Sequence, residues 1–286
     1  MFSRRKTIMK KIIALLLALV MVCSFAACGS KNTAEVIEID LTEEHYAFGV
    51  DKNQPELLTK VNEFIGKIMD DGTFKSICDK YFADGEKNGV TSAVEDPSKD
   101  QLVVATNAQF APFEYKEGDK FYGIDMEIAK LLADYLGQEL VIKDIDFDAV
   151  CLTVGQHKCD IAMAGLTISE DRKEHVTFSD SYYTANQRII VKSGDETFKD
   201  CKTTEDVEKV LNGFNEETKI GYQNGTTGQL YVEGDEDWGF AGYNVTGKGY
   251  GSGSLAVQDM LNGNIDYVII DSDPANFITK AINAVA

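Results

Sequence analysis

Positive charge, histidine and proline are what this chain of 286 residues holds least of. Lys and Arg number 28 against 47 Asp and Glu, a formal charge of −19 at pH 7. Such a balance repels a phosphate backbone, so a nucleic-acid partner is not expected. The three histidines, His45, His157 and His175, have no metal-ligand spacing and read as surface residues; neither a metal nor a cofactor is called for. Only 4 Pro stand against 24 Gly, and 44% of residues are hydrophobic, which excludes collagen-like sequence and wholesale disorder. Cysteine is sparse and shows no CxxC pair: Cys78, Cys151, Cys159 and Cys201 read as packing residues. One helix carrying both Cys151 and Cys159 would hold them about 12 Å apart, beyond disulfide reach. The apolar run Ile12–Cys23 falls short of the roughly 20 residues of a spanning helix. The length allows about two domains of ordinary size.

The N-terminus reads as an address. Arg4, Arg5, Lys6, Lys10 and Lys11 precede the apolar run and the small residues Ala26 and Ala27, so residues 1–27 are expected to be a signal peptide, with Met9 a second candidate start. Phe25-Ala26-Ala27-Cys28-Gly29-Ser30 resembles a bacterial lipobox. That resemblance implies a diacylated Cys28 as first mature residue, with residues 28–33 as tether; the alternative is an ordinary signal peptide cut near Ala27. Two or three acyl chains, at about 0.8 kcal/mol per buried methylene, would hold the protein on a membrane face. Without residues 1–27, Lys and Arg fall to 23 against 47 acids, a charge of −24.

Beyond the tether, two β-rich stretches, Val36–Asp40 and Tyr46–Val50, lead to a helix opened by Pro55 with Leu57, Leu58, Val61, Phe64, Ile65, Ile68 and Met69 on a 3.6-residue period. Asp71-Gly72 breaks it, and a short helix bearing Phe74, Ile77 and Tyr81 follows. Residues 83–101 lack apolar period and read as a solvated linker. Strands and helices then alternate: Leu102–Thr106, Ile124–Leu136, Leu140–Lys143, Phe147–Gln156 and Ile161–Ala164. The alternation returns in Lys219–Tyr222, Ser254–Leu261, Ile265–Ile270 and Pro274–Ala284. This predicts two α/β lobes with mainly parallel sheets, joined through a strand around Ile189–Val191.

Six segments carry a resemblance: Leu102–Tyr115 (LVVATNAQFAPFEY), Gly123–Leu136 (GIDMEIAKLLADYL), Asp160–Arg172 (DIAMAGLTISEDR), Phe178–Tyr183 (FSDSYY), Ile220–Gly228 (IGYQNGTTG) and Asp266–Asp271 (DYVIID). In this order they resemble the polar amino-acid solute-binding proteins of ABC importers, bacterial extracellular solute-binding protein family 3. The resemblance implies a two-lobed, periplasmic-binding-protein-like (Venus flytrap) α/β fold. It further implies that Arg172 grips the ligand α-carboxylate through its planar fork, and that Asp271, at the carboxyl end of its strand, takes the α-ammonium. Thr226 and Thr227 open a helix, Ala164, Gly165 and Thr167 offer a carbonyl and a hydroxyl, and Phe110 and Phe147 form apolar walls. Outside the resemblance, such an Arg is usually a solvated charge and Asp271 a helix cap. Asn107 and Gln223 are neutral where members that take basic amino acids commonly carry an acid at the Asn107 position, so a neutral polar side chain is expected unless Glu114 points inward.

One departure concerns order. Leu41–Leu58 and Asp71–Phe82 resemble the block with which such proteins usually end, here placed before the first strand of the fold. The chain therefore reads as circularly permuted: residues 34–45 as strand and hinge of lobe 2, 46–82 as hinge strand and helices of lobe 1, 83–101 as the joint between ancestral termini, 102–184 as lobe 1 and 185–286 as lobe 2. The rival reading makes Ala34–Phe82 the relic of a preceding gene copy. The expected function is a monomeric amino-acid receptor, not an enzyme, on the outer membrane face beside an ABC permease. The alternatives are a cyclohexadienyl dehydratase-like enzyme using Glu114 or Asp146 as acid, or a sensor for a separate membrane partner.

Overall fold

The computed structural model describes residues 32–83 and 85–286, so the signal peptide, Cys28 and most of the tether lie outside the described residues. Two five-stranded sheets organise the rest. One runs Val176–Phe178, Gly49–Asp51, Ile161–Ala162, Gln101–Thr106, Glu139–Asp144. The other runs Ala34–Ile37, Gln187–Lys192, Tyr267–Asp271, Lys219–Gln223, Thr246–Tyr250. Both are mixed rather than mainly parallel. Gln101–Thr106 is parallel to Glu139–Asp144 and Ile161–Ala162, but Gly49–Asp51 is antiparallel to both of its neighbours. In the second sheet Lys219–Gln223 has two parallel partners, whereas Gln187–Lys192 pairs antiparallel on each side. The reason lies in the connections. Strand–helix–strand units return the chain in the same sense, while strands that cross from one lobe to the other enter without a helical crossover and in the opposite sense.

The crossing itself is a short ribbon. Glu44–Tyr46 pairs antiparallel with Tyr183–Ala185, Tyr46 facing Tyr183 in register. Upstream of Glu44 the chain belongs to one sheet and downstream of Tyr46 to the other, and Tyr183–Ala185 makes the reverse passage.

Local sequence explains the helices. Pro55 occupies the first turn of Pro55–Asp70, which buries Val61, Phe64, Ile65 and Ile68 and stops before Gly72 at φ 80°. Thr73–Phe82 buries Ile77, Cys78 and Tyr81. Ile124–Leu136 starts from Gly123 at φ 123°, where a Cβ would stand 2.1 Å from the Phe113 carbonyl oxygen; no other residue type fits that approach. Cys78, Cys151 and Cys159 are buried free thiols, and Cys201 is half-buried. His157 pairs with buried Asp51 at 2.8 Å, His45 is exposed and His175 is half-buried. Among the described residues no helix is long and apolar enough to cross a membrane.

Residues 85–100 are less free than their composition predicts. Val90 bridges Phe121, the Ala93 amide donates to Leu140 at 2.8 Å, Ser92 Oγ accepts from Ile142 at 2.8 Å, and Glu95 pairs with Lys143 at 2.9 Å. Lys87 Nζ lies 5.7, 5.8 and 5.4 Å from the ring centroids of Tyr81, Tyr115 and Phe277. These anchors use backbone groups and the polar side chains of Lys87, Ser92 and Glu95, none of which leaves an apolar period. The same reason hides the Gly-rich strand Thr246–Tyr250 and the small sheet of Gln109–Phe110, Glu114–Glu117 and Lys120–Tyr122.

Residues 34–82 supply an edge strand to one sheet and an interior strand to the other. Removing them leaves Ile161–Ala162 and Val176–Phe178 without their common partner. A chain lacking residues 34–82 is expected to lose its cooperative thermal transition in circular dichroism; a sharp transition at the parent temperature would contradict this account.

Candidate ligand-binding site

Three hydrogen bonds run between the lobes through residues singled out in the sequence. The Asn107 amide donates to the Ile145 carbonyl at 2.8 Å and its oxygen accepts from Gln223 Nε2 of the opposite lobe at 3.1 Å. Gln223 is also the residue whose carbonyl takes the Thr226 hydroxyl at 2.8 Å, so Thr226 begins the helix Thr227–Glu233 without a side-chain cap. Thr227 Oγ1 reaches Thr167 Oγ1 at 3.4 Å, a second bond across the gap. Arg172 makes the third. Its Nη1 donates to the Thr167 carbonyl at 2.7 Å within its own lobe, and its Nη2 to the Gly225 carbonyl at 2.9 Å in the other. The guanidinium carbon stands 5.3 Å from the Phe147 ring centroid, a cation–π contact that orients the fork.

Gly165 sits beside Ala164 at φ 53°, where a Cβ would come within 3.1 Å of the Phe110 ring, so the backbone is held close to that aromatic wall. Its amide donates to Asp125 Oδ2 at 2.9 Å, and the Tyr182 hydroxyl donates to Asp125 Oδ1 at 2.7 Å. Asp271 stands at the N-terminal cap position of Ser272–Asn283 but makes no capping bond; it takes the Tyr46 hydroxyl instead. Burial and the neighbouring Glu44 charge push the Asp271 carboxyl up to about 7, against the opposing pull of the Tyr46 and Gln187 hydrogen bonds. Burial raises Asp125 to about 7 as well.

Glu44 is the residue the sequence reading passed over. It is 2% exposed and accepts from Thr42 Oγ1 at 2.7 Å, Thr167 Oγ1 at 2.8 Å and Gln187 Nε2 at 3.0 Å. Thr167 thus spends its one proton on Glu44 and turns acceptor lone pairs toward the cleft. A signal existed: on an extended segment Glu44 and Tyr46 share one face and His45 takes the other. Glu114 is fully buried and neither carboxyl oxygen has a hydrogen-bond partner among the described residues. Because Glu114 pairs in register with Phe110, both side chains leave the same face of their small sheet. Burial, with the charges of Asp125, Asp271 and Asp144, drives its carboxyl well above the usual range. Asp146, the other acid nominated for an enzymatic role, is exposed at the start of the turn Phe147–Ala149 and shares nothing of this environment.

The pattern describing the bacterial extracellular solute-binding proteins, family 3, matches residues 102–233. A solved ancestral arginine-binding protein bound to arginine is 35% identical, with a TM-score of 0.54 over 64% of this chain and 75% of that one. The chain belongs to this family. A solved ancestral amino acid-binding protein described as a precursor of cyclohexadienyl dehydratase is 30% identical at TM-score 0.54, covering 63% of this chain and 74% of that one. The arginine-binding extracellular protein ArtP of Bacillus subtilis is 40% identical over 116 residues, 40% of this chain and 46% of that protein. The arginine-binding periplasmic protein of Mannheimia haemolytica is 30% identical over 172 residues, 60% of this chain and 63% of that protein. The chain thus spans about half to two thirds of the curated relatives it matches. Both curated relatives are named as arginine-binding proteins, one extracellular and one periplasmic.

Tyr46→Phe removes the hydroxyl that Asp271 accepts. Loss of a buried donor to a charged acceptor costs about 1–3 kcal/mol. The Tyr46 bond favours the ionised form of Asp271, so the loss should be small at pH 5.5 and grow as pH rises through about 7. Thermal melts of parent and variant across that interval measure it, and a loss independent of pH would contradict the assignment.

Proposed function

We propose that the protein is the extracytoplasmic receptor of an ABC importer, closing two lobes on one amino-acid zwitterion. The observation that supports this reading is that Arg172 reaches from its own lobe to the Gly225 carbonyl of the other, while Glu44 links Thr167, beside Arg172, to Gln187, the strand partner of Asp271. A carboxylate suits the remaining donors of the Arg172 fork, and an ammonium suits Asp271 and the acceptor lone pairs of Thr167. A ligand touching both lobes stabilises the closed arrangement, and hinge bending at the Glu44–Tyr46 and Tyr183–Ala185 ribbon is the motion that releases it. A lipid on Cys28 would keep a monomeric receptor at the outer membrane face beside its permease.

The lobes are assigned to residues 34–45 with 185–286, and to 46–184. In our reading this order is a circular permutation. Its support is that a quarter of the solved relative lies outside the matched region, while residues 34–82, which precede the family match, provide strands to both sheets.

For the ligand side chain, the neutral amides of Asn107 and Gln223 favour a neutral polar group. A second reading, a cationic side chain, is favoured by Glu114. Among the described residues the buried polar atoms without partners are all oxygens: Thr106 Oγ1, both of Glu114, Gln187 Oε1 and Gln223 Oε1. The carboxyl and amide oxygens of this set, unlike the Thr106 hydroxyl, which also carries a proton, suit a ligand side chain with N–H donors, in keeping with the arginine-binding relatives.

Isothermal calorimetry with the twenty amino acids tests the proposal. One class should bind, and Arg172→Ala should weaken it about 100-fold or more, the scale of losing one partner of a buried charged pair. Unchanged affinity in that variant refutes the assignment. Arginine bound at least tenfold more tightly than glutamine, with the preference lost in Glu114→Gln, selects the cationic reading; the opposite order selects the neutral one.

A further inference from the structure

The charge balance of the cleft carries one more step, which rests on the receptor reading above. Glu44, Glu114, Asp125 and Asp271 are 2, 0, 0 and 4% exposed. The groups holding them are neutral: Thr42, Thr167 and Gln187 on Glu44, the Gly165 amide and Tyr182 on Asp125, and Tyr46 on Asp271. Glu114 has no hydrogen-bond partner among the described residues. Its charged surroundings are further acids: Asp125 on the helix Ile124–Leu136, Asp271 at the end of Tyr267–Asp271, and Asp144 at the end of Glu139–Asp144. Asp271 in turn feels Glu44 of the crossing ribbon. The phenols of Tyr46 and Tyr182 are both pushed up by burial and by these same acids, so neither exchanges a proton near neutrality. Arg172 is the cation at the cleft, and its Nη1 and Nη2 already point at two backbone carbonyls.

An uncompensated carboxylate in such surroundings is so costly that the acid keeps its proton. A ligand cation removes that cost. We propose that amino-acid capture by this site is coupled to proton release: the cationic group of the ligand replaces protons held within the set Glu114, Asp125 and Asp271. In the step a carboxyl O–H bond breaks, the electron pair stays on oxygen, the proton passes to solvent buffer, and the ligand ammonium or guanidinium takes its place beside the carboxylate.

The linkage has two signatures of opposite sign. Burial holds Asp125 and Asp271 up to about 7 in the folded protein, whereas unfolded they ionise in the ordinary carboxyl range. Between those values the native state binds more protons than the unfolded one. The contribution of these groups to ligand-free stability is therefore fully present on the acid side and is lost as pH rises through about 7. Affinity runs the other way, because ligand binds the ionised form. It should rise with pH over the same interval by up to about tenfold per pH unit for each proton exchanged.

Calorimetry decides between these outcomes. L-arginine and L-glutamine are titrated into the full mature chain between pH 6 and 8, in phosphate and in Tris, whose ionisation enthalpies differ widely. A dependence of the observed heat on buffer that corresponds to net proton release, with affinity rising toward pH 8, supports the proposal; a smaller release in Glu114→Gln places part of the exchange there. Binding heat independent of buffer, or proton uptake, overturns it while leaving the receptor reading intact. Absence of binding with all twenty amino acids overturns both. The buffer comparison on the unaltered chain is decisive even where the variant fails to fold.

Discussion

The hydrogen bond from Tyr46 to Asp271 ties the crossing ribbon to the end of a central strand, and much of the site follows from it. Tyr46 is fully buried, packed edge-on to Phe113 at 5.1 Å and against Tyr183 at 5.9 Å, so its hydroxyl has little freedom. Asp271 is thereby fixed at the mouth of one lobe. One turn of ribbon away, Glu44 reaches Thr167 in the other lobe and Gln187 beside Asp271. Two residues of one crossing strand, Glu44 and Tyr46, thus bond to groups of both lobes. The same strand is the pivot on which any change in their separation must turn.

How much of this was legible in the sequence depends on which physical signal each element leaves. The helices Pro55–Asp70 and Ile124–Leu136 announce themselves through apolar period and through Pro55 and Gly123 at their starts. Gln101–Thr106 and Tyr267–Asp271 are apolar runs of strand length. The mixed character of the sheets was not legible, because strand direction depends on where a connection goes rather than on the residues it contains. The eleven candidate residues came from resemblance; Arg172 alone reads as a surface charge, and its fork between Thr167 and Gly225 is visible only once the lobes face each other. Glu44 and Asp125 escaped for the same reason. An acid in a polar stretch looks solvated until tertiary structure buries it, and only the alternation that puts Glu44 on the face of Tyr46 separates it from its exposed neighbour Glu43.

Residues 85–100 show the converse error. Their composition is that of a solvated linker, yet Lys87 lies over rings from both lobes and the backbone around Val90 and Ala93 is paired. Composition reports how little apolar surface a segment can bury. It does not report whether a neighbouring sheet edge offers hydrogen bonds, which Phe121, Leu140 and Ile142 do here. A segment held at several points loses more conformational entropy on folding than a free one of equal length, and the hydrogen bonds and ion pair it makes offset that loss.

The chemistry of recognition follows from counting donors and acceptors rather than from the two opposite charges alone. Arg172 and Asp271 would satisfy any amino acid, because every amino acid presents the same carboxylate and ammonium. Discrimination must come from what lies beyond. Among the described residues the buried side-chain polar atoms without partners are oxygens, and the Gln223 amide donates to the Asn107 oxygen. Under the proposed reading the free donors of Arg172 go to the ligand carboxylate, and a ligand side chain that brings further acceptors would be penalised beside the unpartnered carboxyl and amide oxygens. A ligand that brings donors removes a desolvation cost already present in the protein, and a cationic one does so for Glu114 as well. In the proposed receptor the preference would come less from new attraction than from relief of a charge imbalance that folding imposed, so that closure, side-chain choice and protonation would be three aspects of one equilibrium.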